Sequence, residues 1–519
     1  MANQHEMNGT KNRGLDKRYL LNDEAMQDFI INGYLVVKPD LPPDYHQSVF
    51  RQCSEILAQE EHPPGNDLLP KIPMLQKVFD DPVVSGALAS ILGTNYIMHQ
   101  HRVCHYHPPG SKAQNWHKDY PLGGNVRCHR VRLAMAFYYP QDVTEDMGPT
   151  AIQPGTQYYV DPAAEIPGLA LCGEAGTVTI VHYELWHRAT QNRSDKTRFM
   201  LKFLFCRTEE PQGPSWDAEN PVWEFERAAA LPKNPGANRD QCGHRVIWGH
   251  LWQWYWGRQN GHARVAPSPR CDDMAAALQA LRDEDASVRQ CAADALGSIA
   301  RAAEEVIAAL QKALRDANEA VRLNATYALA AIGEPAVPAL IEALREESEA
   351  TWKRNLNRND FTNPSQLDAP YGLAAIGEPA VPALSAELGA RDWWVRAAAA
   401  NALGCMGRAA EAAVPALLGA LKDESEWVRR NAADTLGNIG DFPSPLEAAA
   451  ALGEALGDER PVSPWSLSGQ PFRENAAAAL AKMNQCPQGV VPALIKASGA
   501  ENEYIRFWTS MALEDVRKG

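Results

Sequence analysis

The sequence predicts a multidomain protein. A double-sheet β barrel of the jelly-roll kind with flanking helices comes first, and an all-α solenoid of helix pairs follows. Three observations predict this. At 519 residues the chain is too long for one core. Its first half holds several short strand-like runs, punctuated by glycine and proline, after a helical start. Its second half repeats itself, with the string AIGEPAVPAL at 331–340 recurring unchanged at 375–384.

In order, NDEAMQDFIINGYLVVKP (22–39) reads as a helix ended by Asn32-Gly33 and followed by a strand. PDYHQSVFRQCSEILAQE is a second amphipathic helix. YIMHQHRVCHYH, HRVRLAMAFYYP, TVTIVHYELWH and TRFMLKFLFCR are the strand candidates. VIWGHLWQWYWG (246–257) is too aromatic for a linker, so the expectation is that it packs on the barrel, with Trp252, Trp254 and Trp256 in the core or else forming a pocket lid. From Asp272 onward each unit shows an acidic turn, a Val-Arg or equivalent arginine, an Ala/Leu-rich helix, a glycine, and a helix opened by Val-Pro. Arg289, Arg322, Arg396, Arg429, Arg473 and Arg506 mark the units, at an underlying period of about 33 positions. They are expected to bridge neighbouring repeats through acidic turns. Pro338, Pro382, Pro415 and Pro492 fall where a first-turn proline loses no hydrogen bond. The segments 357–372 and 460–471 read as loops inserted into repeats. The boundaries follow: a flexible start at 1–18, the barrel domain at 19–263, a linker at 264–271 and the solenoid at 272–519.

A formal net charge of −14 disfavours nucleic-acid or anionic-membrane binding, which needs a basic excess. No run of about 18 apolar residues offers a membrane span, and MANQHEMNGT has the character of no secretory signal. The ten cysteines form no CxxC pair. They read as reduced thiols in a cytoplasmic protein, with disulfides not expected.

The chemistry concentrates in NWHKDYPLGG (115–124). On a strand, residues i and i+2 point the same way, so His117 and Asp119 can share one metal with Lys118 turned away. A third ligand should come from a strand end distant in sequence. His187, after the strand in GTVTIVHYELWHRATQNRSDKTR (176–198), is the candidate, with His182 as its rival. Two imidazoles and one carboxylate leave coordination positions open, which suits non-haem Fe(II) binding a co-substrate and O2 together. His99, His101, His105 and His107 invite a second metal but equally suit pocket lining or packing. Trp116, Tyr120 and Phe137 are candidates to shape a pocket.

HxD at 117–119, MGPTAIQPGTQ at 147–157 and LWHRATQN…R at 185–198 resemble the phytanoyl-CoA dioxygenase family. The opening MQDFIINGYLVV fits as well, so the resemblance covers roughly residues 19–260. It implies a double-stranded β-helix (jelly-roll or cupin-like) and an Fe(II)- and 2-oxoglutarate-dependent oxygenase that consumes O2. His117, Asp119 and His187 then serve as the catalytic metal ligands. Arg198, eleven residues after His187, matches the arginine that grips the far carboxylate of 2-oxoglutarate, where a guanidinium fork gives two hydrogen bonds. Asn192 matches the family's asparagine in the turn between them, and Gly148, Pro149, Pro154 and Gly155 match its turn residues. Many members carry a small hydroxyl residue two positions after the distal histidine. Here that position is Ala189, and Thr190 is the expected substitute. His101, with Arg102, is a further candidate for the co-substrate or substrate. A carboxylate at Asp119 favours hydroxylation over halogenation, since related halogenases keep a small residue there.

The second half resembles HEAT repeats of the short form also seen in phycobilisome-lyase-like proteins, over about 245 residues. That resemblance implies a protein-interaction module. The expected function is hydroxylation of an unactivated C–H bond of a small organic molecule, with a protein partner on the repeats and neither nucleic acid nor membrane. The alternatives are an inactive oxygenase domain in a HEAT-repeat scaffold, or a hydroxylase of a protein docked on the repeats.

Overall fold

The computed structural model describes residues 16–60, 62–119, 128–164, 166–223, 243–258, 273–300, 302–358, 367–440, 445–460, 470–483 and 486–518. The chain forms two compact units. One comprises Met1–Asp119 and Val131–Arg239, and the other Tyr120–Arg130 and Asp240–Gly519.

The first unit opens with helix α1 (Asp23–Asn32), capped by the Asn22 side chain, which accepts from the Ala25 N–H. Gly33, at φ 77°, ends it and turns the chain into β1 (Tyr34–Val37). Helix α2 (Pro43–Glu60) and helix α3 (Pro82–Leu92), the latter capped by Asp81, precede the remaining strands. These are β2 (Ile97–His107), β3 (Leu133–Tyr138), β4 (Thr150–Ile152), β5 (Leu169–Ala170), β6 (Val178–His182), β7 (His187–Ala189) and β8 (Arg198–Cys206). Two antiparallel sheets result, ordered β1-β6-β3-β8-β2 and β5-β4-β7. Central strands β3, β6 and β8 are buried throughout, which is why their sequences read as near-continuous apolar runs.

All four strand candidates form strands, but TVTIVHYELWH does not stay in one. After His182 a turn, closed by Leu185 N–H donating to the His182 carbonyl at 3.0 Å, carries the chain from the larger sheet to β7 in the smaller one. That crossing places His187. In β2 a register shift between Met98 and Arg102 interrupts the simple alternation expected of His99, His101, His105 and His107.

The second unit is helical. VIWGHLWQWYWG, expected on the barrel, contributes instead helix α4 (Arg245–Tyr255), which belongs to this unit. Its composition announced burial without naming the surface. After α4 come α5 (Met274–Ala280), α6 (Ala286–Ile299), α7 (Glu304–Ala313), α8 (Glu319–Ile332), α9 (Val337–Arg358), α10 (Asp368–Ile376) and α11 (Val381–Glu387). The array continues with α12 (Trp393–Met406), α13 (Val414–Ala420), α14 (Glu426–Ile439), α15 (Pro445–Ala455), α16 (Pro471–Lys482), α17 (Val491–Ser498) and α18 (Glu503–Lys518). First helices α6, α8, α10, α12, α14, α16 and α18 pack in series, and α4 packs on α6 and α8.

Four of the six marker arginines act as expected, Arg429 lying 3.5 Å from Asp458, whereas Arg473 and Arg506 donate to backbone carbonyls, those of Leu456 and of Ala500 and Glu501. Arg289 Nε lies 2.7 Å from Asp316, Arg322 Nε 3.2 Å from Asp368 and Arg396 Nε 2.7 Å from Asp423, each in the following repeat. Two residues further on, asparagines make a second rung. Asn324, Asn431 and Asn475 each donate to a carbonyl of the preceding first helix, those of Gln290, Ala397 and Arg430, at 2.9–3.1 Å. Small residues let the helices close in, and a Cβ on Gly437 would stand 2.7 Å from the Ala479 Cα.

Two expectations on loops and thiols need correction. The interval 357–372 holds residues 359–366, which lie outside the described residues, but its end opens α10, the counterpart of α8. Most of 460–471 also lies outside them. Cys291 takes part in a disulfide, where reduced thiols were expected. Pairing of that kind is tertiary and leaves no signature in cysteine spacing. No described helix is long and apolar enough to cross a membrane.

The helical unit also contains a built-in acid sensitivity. His244 is buried, with Nδ1 2.5 Å from Asn324 Oδ1, and burial pushes its pKa down to about 4 against an ordinary 6.5. Between those values the unfolded chain binds more protons than the folded one, so stability rises with pH across the window and falls on acidification. The slope from this residue approaches about 1.4 kcal/mol per pH unit. Urea denaturation followed between about pH 7 and about pH 4.5 should show it, and His244→Gln should flatten it.

Candidate metal centre

His117 and Asp119 do not sit on a regular strand. A single antiparallel bridge suffices, in which His117 N–H donates to the His187 carbonyl and His187 N–H to the His117 carbonyl, both at 3.0 Å. The bridge brings the imidazole rings to 4.5 Å between centroids. The i, i+2 argument holds locally, because Asp119 Oδ1 lies 3.7 Å from His187 Nε2. Lys118 turns away to Glu184, at 3.6 Å, and to the Trp186 ring, at 5.7 Å. One ligand atom from each of His117, Asp119 and His187 lies within 4.8 Å of the others. Among the described residues they are the one group of three or more potential ligands so placed. His182 is outside it, and the β2 histidines form no second cluster among the described residues.

Backbone carbonyls set the tautomers. His117 Nδ1 stands 2.9 Å from the Asn115 carbonyl and His187 Nδ1 2.9 Å from the Leu185 carbonyl. A carbonyl can only accept, so each Nδ1 carries the proton and each Nε2 keeps its lone pair. Burial pushes His187 down to about 4, which keeps it neutral and a competent ligand. Burial alone would raise the Asp119 carboxyl, but Lys202 and then His187 hold it well below the usual carboxylate range.

Lys202 is the residue that sequence reasoning missed. Its ammonium donates to Asp119 Oδ2 at 2.7 Å, and its side chain is 7% exposed. The signal was present in TRFMLKFLFCR, where it is the one charge inside an apolar strand, four positions after Arg198 and therefore on the same face. Phe137, opposite Lys202 in the sheet, has its ring centroid 5.9 Å from that of His187. Trp116 lies under Arg188 at 4.4 Å, and Tyr120 lies outside the described residues.

The remaining predicted residues cluster at the turn after β7. Arg198 is 1% exposed and gives Nε and Nη2 to the Gly148 carbonyl at 3.1 and 2.7 Å. Gly148, at φ 69°, has no room for a side chain, since a Cβ would stand 2.7 Å from the His107 ring. The Thr190 hydroxyl donates to the Pro149 carbonyl at 2.8 Å. Asn192 holds the turn, donating to the His107 and Lys196 carbonyls and accepting from Ser194. Burial, with the Lys202 charge, pushes His101 down to about 4 and His105 to about 3, so both are neutral.

With this geometry, residues 32–200 match the phytanoyl-CoA dioxygenase (PhyH) family, and residues 274–356 and 373–463 match HEAT repeats. The chain thus carries a phytanoyl-CoA dioxygenase domain followed by HEAT repeats. Solved structures similar to it include the non-heme alpha ketoglutarate dependent carbocyclase SnoK from nogalamycin biosynthesis, at 18% identity. That match covers 38% of this chain and 88% of SnoK, with a TM-score of 0.31. The non-heme monooxygenase ThoJ in its nickel complex is 17% identical over 41% of this chain and 88% of its own, with a TM-score of 0.31. EctD from S. alaskensis with bound Fe is 15% identical over 39% and 81%, with a TM-score of 0.32. Likeness at this level says nothing about substrate.

Removing Lys202 should expose how far Asp119 depends on it. Lys202→Met leaves a mostly buried carboxylate without its cation and should lower the stability of metal-free protein by about 2 kcal/mol, less than the ~3–5 of a fully buried pair. Thermal melts with and without Mn(II) check this. The deficit should shrink when the divalent cation replaces the missing charge.

Proposed function

We propose that the N-terminal domain is an Fe(II)- and 2-oxoglutarate-dependent oxygenase that hydroxylates an unactivated C–H bond of a small organic substrate. The observation that carries this reading is the His117–Asp119–His187 cluster, with both Nε2 lone pairs free and the carboxylate ionised. Two neutral imidazoles and one carboxylate suit Fe(II) and leave positions for a co-substrate and O2. Fe(II) with 2-oxoglutarate, when bound, supplies the oxygen-activating chemistry, and the protein supplies orientation and a dry site.

His117 and His187 would hold the metal through Nε2, and Asp119 through Oδ1, while Lys202 donates to Asp119 Oδ2. Arg198 would give the far carboxylate of 2-oxoglutarate a buried cation, four positions before Lys202 in the same strand. Thr190 and Asn192 fix the turn beside it, and His101, kept neutral by burial, is the further candidate for the co-substrate or substrate. The HEAT repeats take a protein partner.

Anaerobic titration of the full-length apo protein with Fe(II) and then 2-oxoglutarate, followed by visible charge-transfer absorption, tests this. A band requiring both additions is expected. His187→Ala should weaken Fe(II) binding on the order of 100-fold. Arg198→Ala should raise the 2-oxoglutarate requirement by roughly 10–100-fold. Wild-type protein that binds no iron would sink the proposal.

A further inference from the structure

Within the helical unit, the turns of the middle repeats enclose a cavity of about 710 Å³, inside the roughly 300–1,000 Å³ of small-molecule sites. Val246 of α4, Ile332 at the end of α8 and Ile376 at the end of α10 give it apolar walls. Two exposed carboxylates also line it, Glu334 and Glu378, in the turns Gly333-Glu334-Pro335 and Gly377-Glu378-Pro379. The turns are one design used twice. Their glycines stand at φ 87° and 78°, and each opens a single 3-10 turn, Glu334–Ala336 and Glu378–Ala380. Gly-Glu-Pro occurs nowhere else in the sequence. The turns before Val414-Pro415 and Val491-Pro492, GRAAEAA and QGV, place no glutamate after the glycine. Opening a second helix therefore does not require this acid.

The unit's own residues show what these repeat ends accept. The His129 ring stacks on Tyr371 at 3.8 Å between centroids, and its Nδ1 is 2.8 Å from the hydroxyl of Tyr327, the counterpart of Tyr371 in the duplicated repeat. Arg130 gives Nη1 to the Cys405 and Met406 carbonyls at 2.8 and 2.9 Å, and its Nη2 reaches the Ala374 carbonyl at 3.5 Å. Those carbonyls close α12 and α10, where unsatisfied C=O groups concentrate negative potential. One cation is thus already held on helix ends. The cavity has no lysine or arginine among its described lining residues. His250 of α4 lines it, 5.8 Å from the Tyr327 ring, and its imidazole has no hydrogen-bond partner among the described residues. Burial, and then the Arg130 charge, push His250 down to about 3. The ring is neutral, so it offers one acceptor nitrogen and does not repel a positive charge.

We propose that this cavity binds a small organic cation, an ammonium or guanidinium carried on an apolar body. The charge faces Glu334 and Glu378, the body packs on Val246, Ile332 and Ile376, and His250 accepts a hydrogen bond from an N–H of the ligand. An anion would meet two carboxylates and the negative ends of α8 and α10. A purely apolar molecule would leave the His250 ring unpaired in a dehydrated wall. A cation on an apolar body satisfies the carboxylates, the helix ends and the imidazole together. The occupant is a small molecule rather than a protein, because α4 and residues 128–130 already cover the ground beside the turns. The site lies wholly in the helical unit and does not depend on the metal centre.

Titration calorimetry and ligand-observed NMR on the metal-free full-length protein test this, with phenethylamine and phenethylguanidine as probes. Phenethyl alcohol and 3-phenylpropionate serve as neutral and anionic counterparts of the same body. Saturable binding of the two cations is expected, with the alcohol weaker and the anion not binding. Glu334→Gln and Glu378→Gln should each weaken the cations by about two- to fivefold and leave the alcohol unchanged. Raising NaCl to about 0.5 M should weaken the cations in the same way. His250→Phe, which keeps a ring in the wall and removes the acceptor, should cost about three- to tenfold. Should that variant not fold, the glutamate variants carry the test, since both side chains are exposed. No saturable binding of either cation overturns the proposal. So does equal binding of amine and alcohol, or binding that the double glutamate variant leaves as in wild type.

Discussion

Two reciprocal hydrogen bonds between His117 and His187 are the constraint on which the candidate centre depends. They join a loop to a three-residue strand, and neither partner is held by a long ladder. Support reaches them indirectly. His187 pairs with Ile152 in β4, β4 follows the Gly148 turn, and Gly148 is fixed because Arg198 donates two hydrogen bonds to its carbonyl. Arg198 therefore has a structural task whatever else it binds. A glycine at φ 69° with no room for a Cβ and a fully buried arginine together align the short strand that carries the distal histidine.

Electrostatics then decides what the cluster can accept. Asp119 has an 18% exposed side chain, so its charge is poorly solvated and calls for cations. Lys202 supplies one from the facing strand at 2.7 Å. The imidazoles do not compete as cations, because His101, His105 and His187 are all pushed down by burial. The result is an anion beside two imidazoles, each with its Nδ1 against a backbone carbonyl and its Nε2 turned to the cluster. Burial thus favours ligation twice, by keeping His187 neutral and by making a second positive charge beside Asp119 welcome.

Much of this was legible in the chain. Helix α1 and its glycine stop, the four strand runs and the repeat arginines with acidic partners follow from periodicity, capping and charge alternation. The HxD spacing and His187 pointed to one cluster because two residues apart share a side even in a single bridge. What the sequence concealed is tertiary. Nothing in VIWGHLWQWYWG says that Arg245 at its edge will pair with Asp294, at 2.6 Å, within the helical unit. Lys202 was visible as a lone charge in an apolar strand, but its partner was not. Cys291 lacks any spacing that announces its disulfide. His129 and Arg130 read as the polar start of a strand, since partners such as Tyr327 and Met406, 198 and 276 positions away, leave no local trace.

The repeats themselves show why that segment finds a place there. Five positions after three of the marker arginines lies a residue turned to a particular use: Asp294 pairs with Arg245, Tyr327 bonds His129, and Asp434 faces Lys482 at 3.4 Å. The arginines and asparagines of the same helices are spent on joining repeat to repeat, so this one slot is free to vary with what it must hold. Two of its occupants hold chain from outside the repeats, α4 and residues 128–130. A surface already filled by the protein's own segments is closed to a partner at those repeats. The second helices are different, since Leu446 and Ile495, at 69% and 60% exposure, both lie on them. An array built only to recruit another protein would have no reason to spend its duplicated tyrosines on an imidazole of its own chain. Within the helical unit, the duplication puts one sequence position to use twice on a single ring.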